Sequence, residues 1–417
     1  MDGIGSLVVR EYDHHRDRLQ VEEVERRCEV GPCGKLSIYT DLLGDPLCRV
    51  RNSPAFLMLV AESVEEAGDG EEKEGRKEIV GMIRGCMKTV TCGKWLDRSG
   101  KPAEGGAAPR HVAVYTKVGY ILGLRVSPAH RRKGIASRLV EAMETWLIQN
   151  GAEYSYIATE NDNFPSVSLF TLRFGYSKFR TPAILVNPVH AHDLRLPSRR
   201  FSLLPLSKSD ASSLYVSRFS TTEFFPRDID TVLSNPHSLG TFLALPKPRA
   251  ASWDGVSPFL ADPPGSWAVL SLWNCKEVFK LEVKGASRVL RALVRAGRAL
   301  DGALPFLGLP SFPEIFRPFG AYFAYGVGGE GPHATEMVRA LFEHAHNLAR
   351  RQGCAVVATE VAGQDPLRAG IPHWRRLSCP EDLWCIKRLR EDYSDGTVGD
   401  WTKSPPGLSI FVDPREV

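Results

Sequence analysis

The sequence predicts an α+β fold, a mixed and mostly antiparallel sheet flanked by helices, present in two tandem copies of which the second is degenerate. Three observations carry that reading. Apolar runs of strand length alternate with polar turns through the first half, the pattern of hairpin-connected strands. Within them, residues 119–151 pass from a strand through a basic turn into an amphipathic helix. Residues 200–390 then echo the first half, as a worn internal repeat would. A length of 417 residues, with 43% hydrophobic and 24% charged, allows roughly two to three domains with proper cores and excludes a wholly disordered chain.

Residues 7–10 read as a short first strand. Residues 13–27 set Leu19, Val21 and Val24 among charges at loosely helical spacing, so a helix follows. Residues 55–61 and 78–87 are β-compatible apolar runs, and the Glu-, Gly- and Lys-rich stretch 63–77 between them reads as a solvated hairpin tip. A second loose loop spans 94–110. Residues 119–126 form a strand and 127–133 a polar basic turn. Over 134–150, Ile135, Leu139, Met143, Trp146 and Leu147 recur at helical spacing, with Gly151 where a C-cap belongs. Residues 154–159 are the next strand, a helical stretch follows around 167–170, and Gly175-Tyr176 leads into a last strand near 184–186. The first domain is therefore 1–187, and the linker is 188–200, with two prolines and three arginines among its residues.

Composition excludes several functions. The net charge is only +4, far from the basic surplus of phosphate-tracking proteins, so direct nucleic-acid binding is not expected. The nine cysteines form no CxxC pair and no zinc-ligand spacing, so no metal is expected. The first 15 residues hold too few apolar side chains for a secretory signal, and no run approaches 18 apolar residues, so no membrane contact is expected. Free thiols then indicate the cytosol or nucleus.

The turn Arg131-Arg-Lys-Gly134-Ile-Ala136 has the form R-x-x-G-x-A. Helix-start N–H groups lack internal partners and the helix dipole adds positive potential, so an anion is favoured there. Small Gly134 and Ala136 allow close approach, and Arg131, Arg132 and Lys133 supply cations. A solvated basic turn entering a helix is the alternative that the six residues alone leave open.

The longer segment 122–139, from the L-x-V-x-P strand end through R-x-x-G-x-A, resembles the acetyl-CoA signature of the GNAT superfamily of N-acetyltransferases. The downstream residues Asn161-Asp-Asn163, Leu169-Phe170 and Gly175-Tyr176 extend the resemblance across roughly 7–187. Residues 10–13, 158–160 and 179–188 resemble the plant hookless-type members, which also carry a C-terminal region of this length. The resemblance implies acetyl-CoA as co-substrate and a primary amine acceptor on a protein, histone lysine included, or on a small molecule. It also implies a role in hormone-dependent growth with ethylene and auxin, and a nuclear or cytoplasmic location. Acetyl-CoA would lie where two strands splay, its pantetheine arm on backbone near Leu124 and Val126, its pyrophosphate on Arg131, Arg132, Lys133, Gly134, Ile135 and Ala136, with Asn163 beyond. A backbone N–H near Leu124 or Val126 would polarise the thioester carbonyl.

An ammonium acceptor must lose a proton before it attacks, so a base is needed. Glu160, ending the strand beside the wedge, is preferred over Tyr120 for that role or for orienting water. Many relatives carry a tyrosine that protonates the leaving thiolate, whereas this chain has Leu169-Phe170 there, or Phe170-Thr171 by the spacing to Gly175. Protonation by water, or a non-catalytic acyl-CoA-binding regulatory protein, therefore stays open.

The echo in the second half is specific. Residues 52–61 match 235–244, 139–151 match 341–353 without a gap, and Tyr156-Ile-Ala-Thr-Glu160 matches Val356-Val-Ala-Thr-Glu360. The same alignment sets His333 opposite Arg131, Glu336 opposite Gly134 and Val338 opposite Ala136. A carboxylate there would repel a pyrophosphate. Residues 201–390 are thus expected to be a degenerate partner domain that binds no coenzyme and closes over, or extends, the substrate side, with 391–417 a C-terminal tail.

Overall fold

Local chemistry starts the first helix where the pattern predicts it. The Asp13 carboxylate accepts the N–H groups of His15 and Arg16, satisfying donors that have no partner inside the helix. The computed structural model describes residues 7–28, 37–64, 77–96, 112–195, 200–390 and 399–417. The expected hairpin tip and the loop 94–110 lie mostly outside the described residues, as do 196–199 of the linker and 391–398 of the tail.

The first half runs β1 (Leu7–Glu11), α1 (His14–Arg27), β2 (Ser37–Asp41), β3 (Ala55–Val64), β4 (Lys77–Leu96), β5 (Val112–Val126), α2 (Ile135–Gln149), β6 (Tyr154–Glu160), α3 (Phe164–Ser168), β7 (Ser177–Arg180) and β8 (Ala183–Pro188). The second runs β9 (Phe201–Leu206), α4 (Lys208–Phe219), α5 (Ile229–Ser234), β10 (Ser238–Pro246), α6 (Lys247–Ala251), α7 (Val256–Ala261) and β11 (Trp267–Asn274), then β12 (Lys280–Lys284), α8 (Arg288–Ala303), β13 (Gly320–Glu330), α9 (Ala334–Arg351), β14 (Cys354–Val361) and β15 (Asp382–Arg388). One sheet has the order β1-β3-β4-β5-β6-β15-β7 and the other β8-β14-β13-β11-β10-β9, while β2 and β12 form a small ribbon between the halves. All pairings are antiparallel except β5 with β6 and β13 with β14. The α+β reading and the repeat both hold: each half sets a parallel pair beside an antiparallel meander.

The two halves exchange a strand. β8, expected to finish the first sheet, pairs with β14 of the second, from Val361↔Ala183 to Val356↔Pro188. In return β15 fills the gap in the first sheet, between β6 and β7. A boundary at 187 therefore cuts through a strand of the second sheet. The hydrophobic pattern could not reveal this, because a strand buried on both faces reads alike whichever sheet it joins.

Each sheet packs its long helix on its outer face. In α2 the residues Ile135, Leu139, Val140, Met143 and Leu147 are fully buried against the first sheet, each worth about 1.5–3 kcal/mol of apolar burial. α9 does the same for the second sheet through Met337, Val338, Leu341, Phe342 and Ala345. The inner faces meet in one shared core that includes Tyr120, Tyr156, Phe224, Trp273, Tyr325, Trp384 and Trp401. The two echoed asparagines touch, Asn235 Nδ2 donating to Asn52 Oδ1 at 3.1 Å.

The expected C-terminal tail is no free tail. Trp401, Phe411 and Val412 are buried in the shared core. Lys88 Nζ pairs with Glu416 at 2.7 Å, and Arg415 pairs with Asp413 at 2.7 Å and Asp228 at 2.6 Å. Between the halves, Arg180 grips Glu223 through Nε at 2.7 Å and Nη2 at 2.6 Å. Residues 1–200 expressed alone would leave the inner edge of β6 unpaired and half of the core exposed. That fragment is expected to lack the cooperative thermal transition of the full chain in circular dichroism; a sharp transition in the fragment would refute the interdependence of the halves.

Candidate active site

β5 and β6 run side by side only from Val118↔Tyr154 to Ile121↔Ile157. Beyond that point residues 122–126 stay with β4 and 158–160 with β15, so the two strands part and leave a wedge. The cause is local. The β4–β5 register slips between Met82 and Arg84, opposite Gly123, whose φ of 61° is left-handed. Such an extra residue bends a strand away from its neighbour. A Cβ at Gly123 would also run into the Arg84 guanidinium.

The wedge opens onto the basic turn. Ser127 N–H bonds the Val80 carbonyl at 2.8 Å, and one turn at 128–130 leads to Arg132 and Gly134, with φ of 63° and 81°. Left-handed residues just before a helix curve the backbone into a nest of N–H groups suited to an anion. α2 has no side-chain cap and no acid in its first turn. A Cβ on Gly134 would meet no atom within 4 Å, so the cradle is open. Arg131, Arg132 and Lys133 are exposed around it. The Ile135 side chain is core, and its backbone N–H is what it can offer an anion. These residues fit the pyrophosphate of acetyl-CoA.

The other expected coenzyme positions are more constrained. The Val126 carbonyl accepts the Cys28 thiol at 3.4 Å and Arg131 Nε at 3.5 Å. The Leu124 carbonyl accepts the Arg125 guanidinium at 3.3 Å. Asn163 caps α3, its Oδ1 accepting Ser166 N–H at 3.4 Å and its Nδ2 donating to Thr159 Oγ1 at 3.2 Å. Its side chain thus ties α3 to the end of β6.

On the inner face of the same sheet, Tyr120 stacks on Tyr156 with ring centroids 4.6 Å apart. Burial, reinforced by the Glu416 carboxylate, drives the Tyr120 hydroxyl far above a phenol's ordinary range. Burial thus opposes the phenolate that a base at Tyr120 would need. Glu160 is exposed at the end of β6, at the mouth of a cleft of about 580 Å³ whose lining includes Asp162, Phe164, Lys178, Cys379 and Glu381. Partial burial, then the Asp162 charge, raises its pKa.

Three groups that sequence reasoning missed come from the second half and the C-terminal segment. Asp382 lies directly across from Glu160 in the β15–β6 ladder. Glu360 Oε1 accepts the indole N–H of Trp384 at 2.9 Å. Glu416 Oε2 accepts the Tyr156 hydroxyl at 2.6 Å. The signal available for one of them was the repeat itself, since Glu360 is the counterpart of Glu160.

Phe170 is buried and packs edge-on against Tyr176, centroids 5.2 Å apart. Tyr176 donates to Ser155 Oγ at 2.9 Å within the buried helix side of the sheet. Neither provides an acid at the wedge.

The equivalent place in the second half has another shape. β13 and β14 stay paired through Ala324↔Thr359, where Thr359 Oγ1 donates to the Ala324 carbonyl at 2.7 Å. Tyr215 fills the bulge at Gly326, and the Gly265 carbonyl crowds Gly331. Glu336 occupies the first turn of α9. Among the described residues no helix is long and apolar enough to cross a membrane, and no cluster of His, Cys, Asp or Glu could hold a metal ion.

The family model for the acetyltransferase (GNAT) family matches residues 57–176, from β3 to the approach to β7. The chain is 63% identical to Probable N-acetyltransferase HLS1 of Arabidopsis thaliana, over 98% of this chain and 99% of that protein. It is also 63% identical to Probable N-acetyltransferase HLS1-like of the same plant, over 98% of each. Identity to Acetyl transferase GW6a of Oryza sativa subsp. japonica is 40%, over 98% of this chain and 97% of that protein. With the family model lying on the wedge and its basic turn, and relatives aligned end to end, the chain belongs to the GNAT family of N-acetyltransferases.

Proposed function

We propose that the protein transfers the acetyl group of acetyl-CoA to a primary amine of a protein, histone lysine within its range. The observation that carries this reading is the open Gly134 turn at the mouth of the β5–β6 wedge. Bound acetyl-CoA supplies the acetyl thioester. The N–H groups at Ile135 and Ala136, with Arg131, Arg132 and Lys133 around them, hold the pyrophosphate. The edge of residues 122–126 that parts from β6 holds the arm and offers an N–H to the thioester carbonyl, a preorganised donor of the kind worth about 3–4 kcal/mol. Glu160, Asp162 and Glu381 give the cleft beside the wedge an acidic lip, which raises the local concentration of a cationic lysine.

Resemblance to the hookless-type members supports a role in hormone-dependent growth, with ethylene and auxin, and action in the nucleus or cytoplasm. Mass spectrometry of acetylated proteins and metabolites from tissue with and without the active protein tests the reading. Acetyl-lysine sites that vanish with the protein are expected. Coenzyme binding with no acetylated product would leave only an acyl-CoA-binding regulator.

A further inference from the structure

Most buried carboxylates in this protein have a visible structural reason. Asp17 pairs with Arg10, Glu223 with Arg180, Glu416 with Lys88, and Asp413 with Arg415. Asp365 caps a short turn through the Leu367 N–H, whereas buried Asp382 and half-buried Glu360 form no ion pair among the described residues. Burying a carboxylate without a cation is costly, and an uncharged acceptor would serve the Trp384 indole equally well.

Their position suggests what the charge is for. The strand exchange inserts β15 beside β6, which sets Asp382 opposite Glu160 and brings Trp384 within 5.4 Å of the Tyr156 ring. Tyr156 in turn stacks on Tyr120 of β5, the strand that forms the wedge. Thr359 and Val361 on either side of Glu360 are buried, yet Glu360 itself keeps contact with solvent. It therefore lies at the border of the shared core, turned toward the first sheet through its bond to Trp384.

We propose that Glu360, supplied by the second half, is the base that accepts the proton of the acceptor amine, with Asp382 beside it as a positioning residue. The inference rests on the acetyl-transfer reading above. Of the three protons on the ammonium acceptor, one passes to the Glu360 carboxylate and on to solvent. The nitrogen lone pair then forms the bond to the acetyl carbon, and the carbon–sulfur bond breaks with its electron pair on sulfur. A second proton ends on sulfur, so no phenol at position 170 is required, and the third remains on the amide.

The groups facing Glu360 are Asp382, Trp384, Glu416 and Tyr120, with Glu160 and Lys88 one step further out. Burial and the charges of Asp382 and Glu416 push its carboxyl up to about 8, and burial and Glu160 push Asp382 up to about 6. Catalysis is expected to rise with pH to a plateau above that of Glu360. Stability moves the other way. A carboxyl raised from 4.5 to about 8 on folding binds more protons folded than unfolded, so its contribution is present at low pH and lost as pH climbs through that window.

Glu360→Gln preserves shape and the indole acceptor. Acetyl transfer from acetyl-CoA to core histones and poly-L-lysine is followed by release of free thiol, across pH 6 to pH 10. The variant is expected to lose on the order of 10²- to 10⁴-fold in kcat, to lose the rising limb near pH 8, to keep its acetyl-CoA affinity by calorimetry, and to melt higher than the parent at pH 8. Parental kcat, a retained limb, or a lower melting temperature at pH 8 would each overturn the proposal and leave Glu360 a structural acceptor. A parent that binds acetyl-CoA but transfers nothing would instead overturn the underlying acetyl-transfer reading.

Discussion

Gly134→Glu is expected to weaken acetyl-CoA binding by roughly 100-fold or more, about 2.8 kcal/mol at 1.4 kcal/mol per tenfold, while the protein remains folded. Two effects combine. The φ of 81° at Gly134 is left-handed, and a residue with a Cβ pays about 1–3 kcal/mol to adopt it. The larger effect is electrostatic: a carboxylate at a helix N-terminus accepts the same N–H groups that a pyrophosphate would use, and its charge repels a second anion. That self-capping favours the helix, so the fold should survive. In the second half Glu336 stands in the first turn of α9 without capping it, and pairs with His333 at 3.7 Å. Titration calorimetry with acetyl-CoA checks this, and Gly134→Ala separates the terms, since it adds strain without charge and should cost only several-fold. Parental affinity in the glutamate variant would remove the turn from the coenzyme site.

Arg415→Ala is expected to destabilise the whole chain by about 3–5 kcal/mol, the cost of leaving a buried charge without its partner. Arg415 is 3% and Asp413 1% exposed, and the guanidinium donates to Asp413 and Asp228 from three nitrogens. Without it Asp413 keeps the backbone N–H of residue 415 and, as a cation, only Lys88 at 3.9 Å, which it shares with Glu416. In the parent, burial is outweighed by Arg415 and Lys88, which hold the Asp413 carboxyl below its usual range; the variant loses the larger of those cations and leaves burial to oppose the charge. Chemical denaturation should show one transition for both halves, moved to lower denaturant, because the exchanged strands bind them into a single unit. A loss below about 1 kcal/mol would mean that water reaches Asp413 and screens it as it does surface pairs.

The coenzyme cradle was legible in the sequence because it is local. A strand, a turn with Gly134 in it and the helix that follows are contiguous, and backbone N–H groups supply the binding, so spacing alone indicates the chemistry. The degenerate cradle at Glu336 was readable for the same reason. Glu160 was found as a strand end, and Tyr120 as an aromatic on the neighbouring strand. What the sequence could not report was burial, which opposes a phenolate at Tyr120, and the company of Glu360 and Asp382, which are 200 or more positions from Glu160.

By itself, then, the sequence determined the fold class, the repeat and the side of the molecule that cradles an anion, since each depends on periodicity or on neighbours in the chain. The tertiary structure alone decided that β8 and β15 trade places, that Trp401, Phe411 and Val412 lie in the shared core, and that Asp382 of the second half stands opposite Glu160 of the first. The physical reason is that strand pairing satisfies backbone donors and acceptors without regard to which half of the chain supplies them. Side chains carried on an exchanged strand therefore gain charged neighbours, and with them proton affinities, that no local pattern encodes.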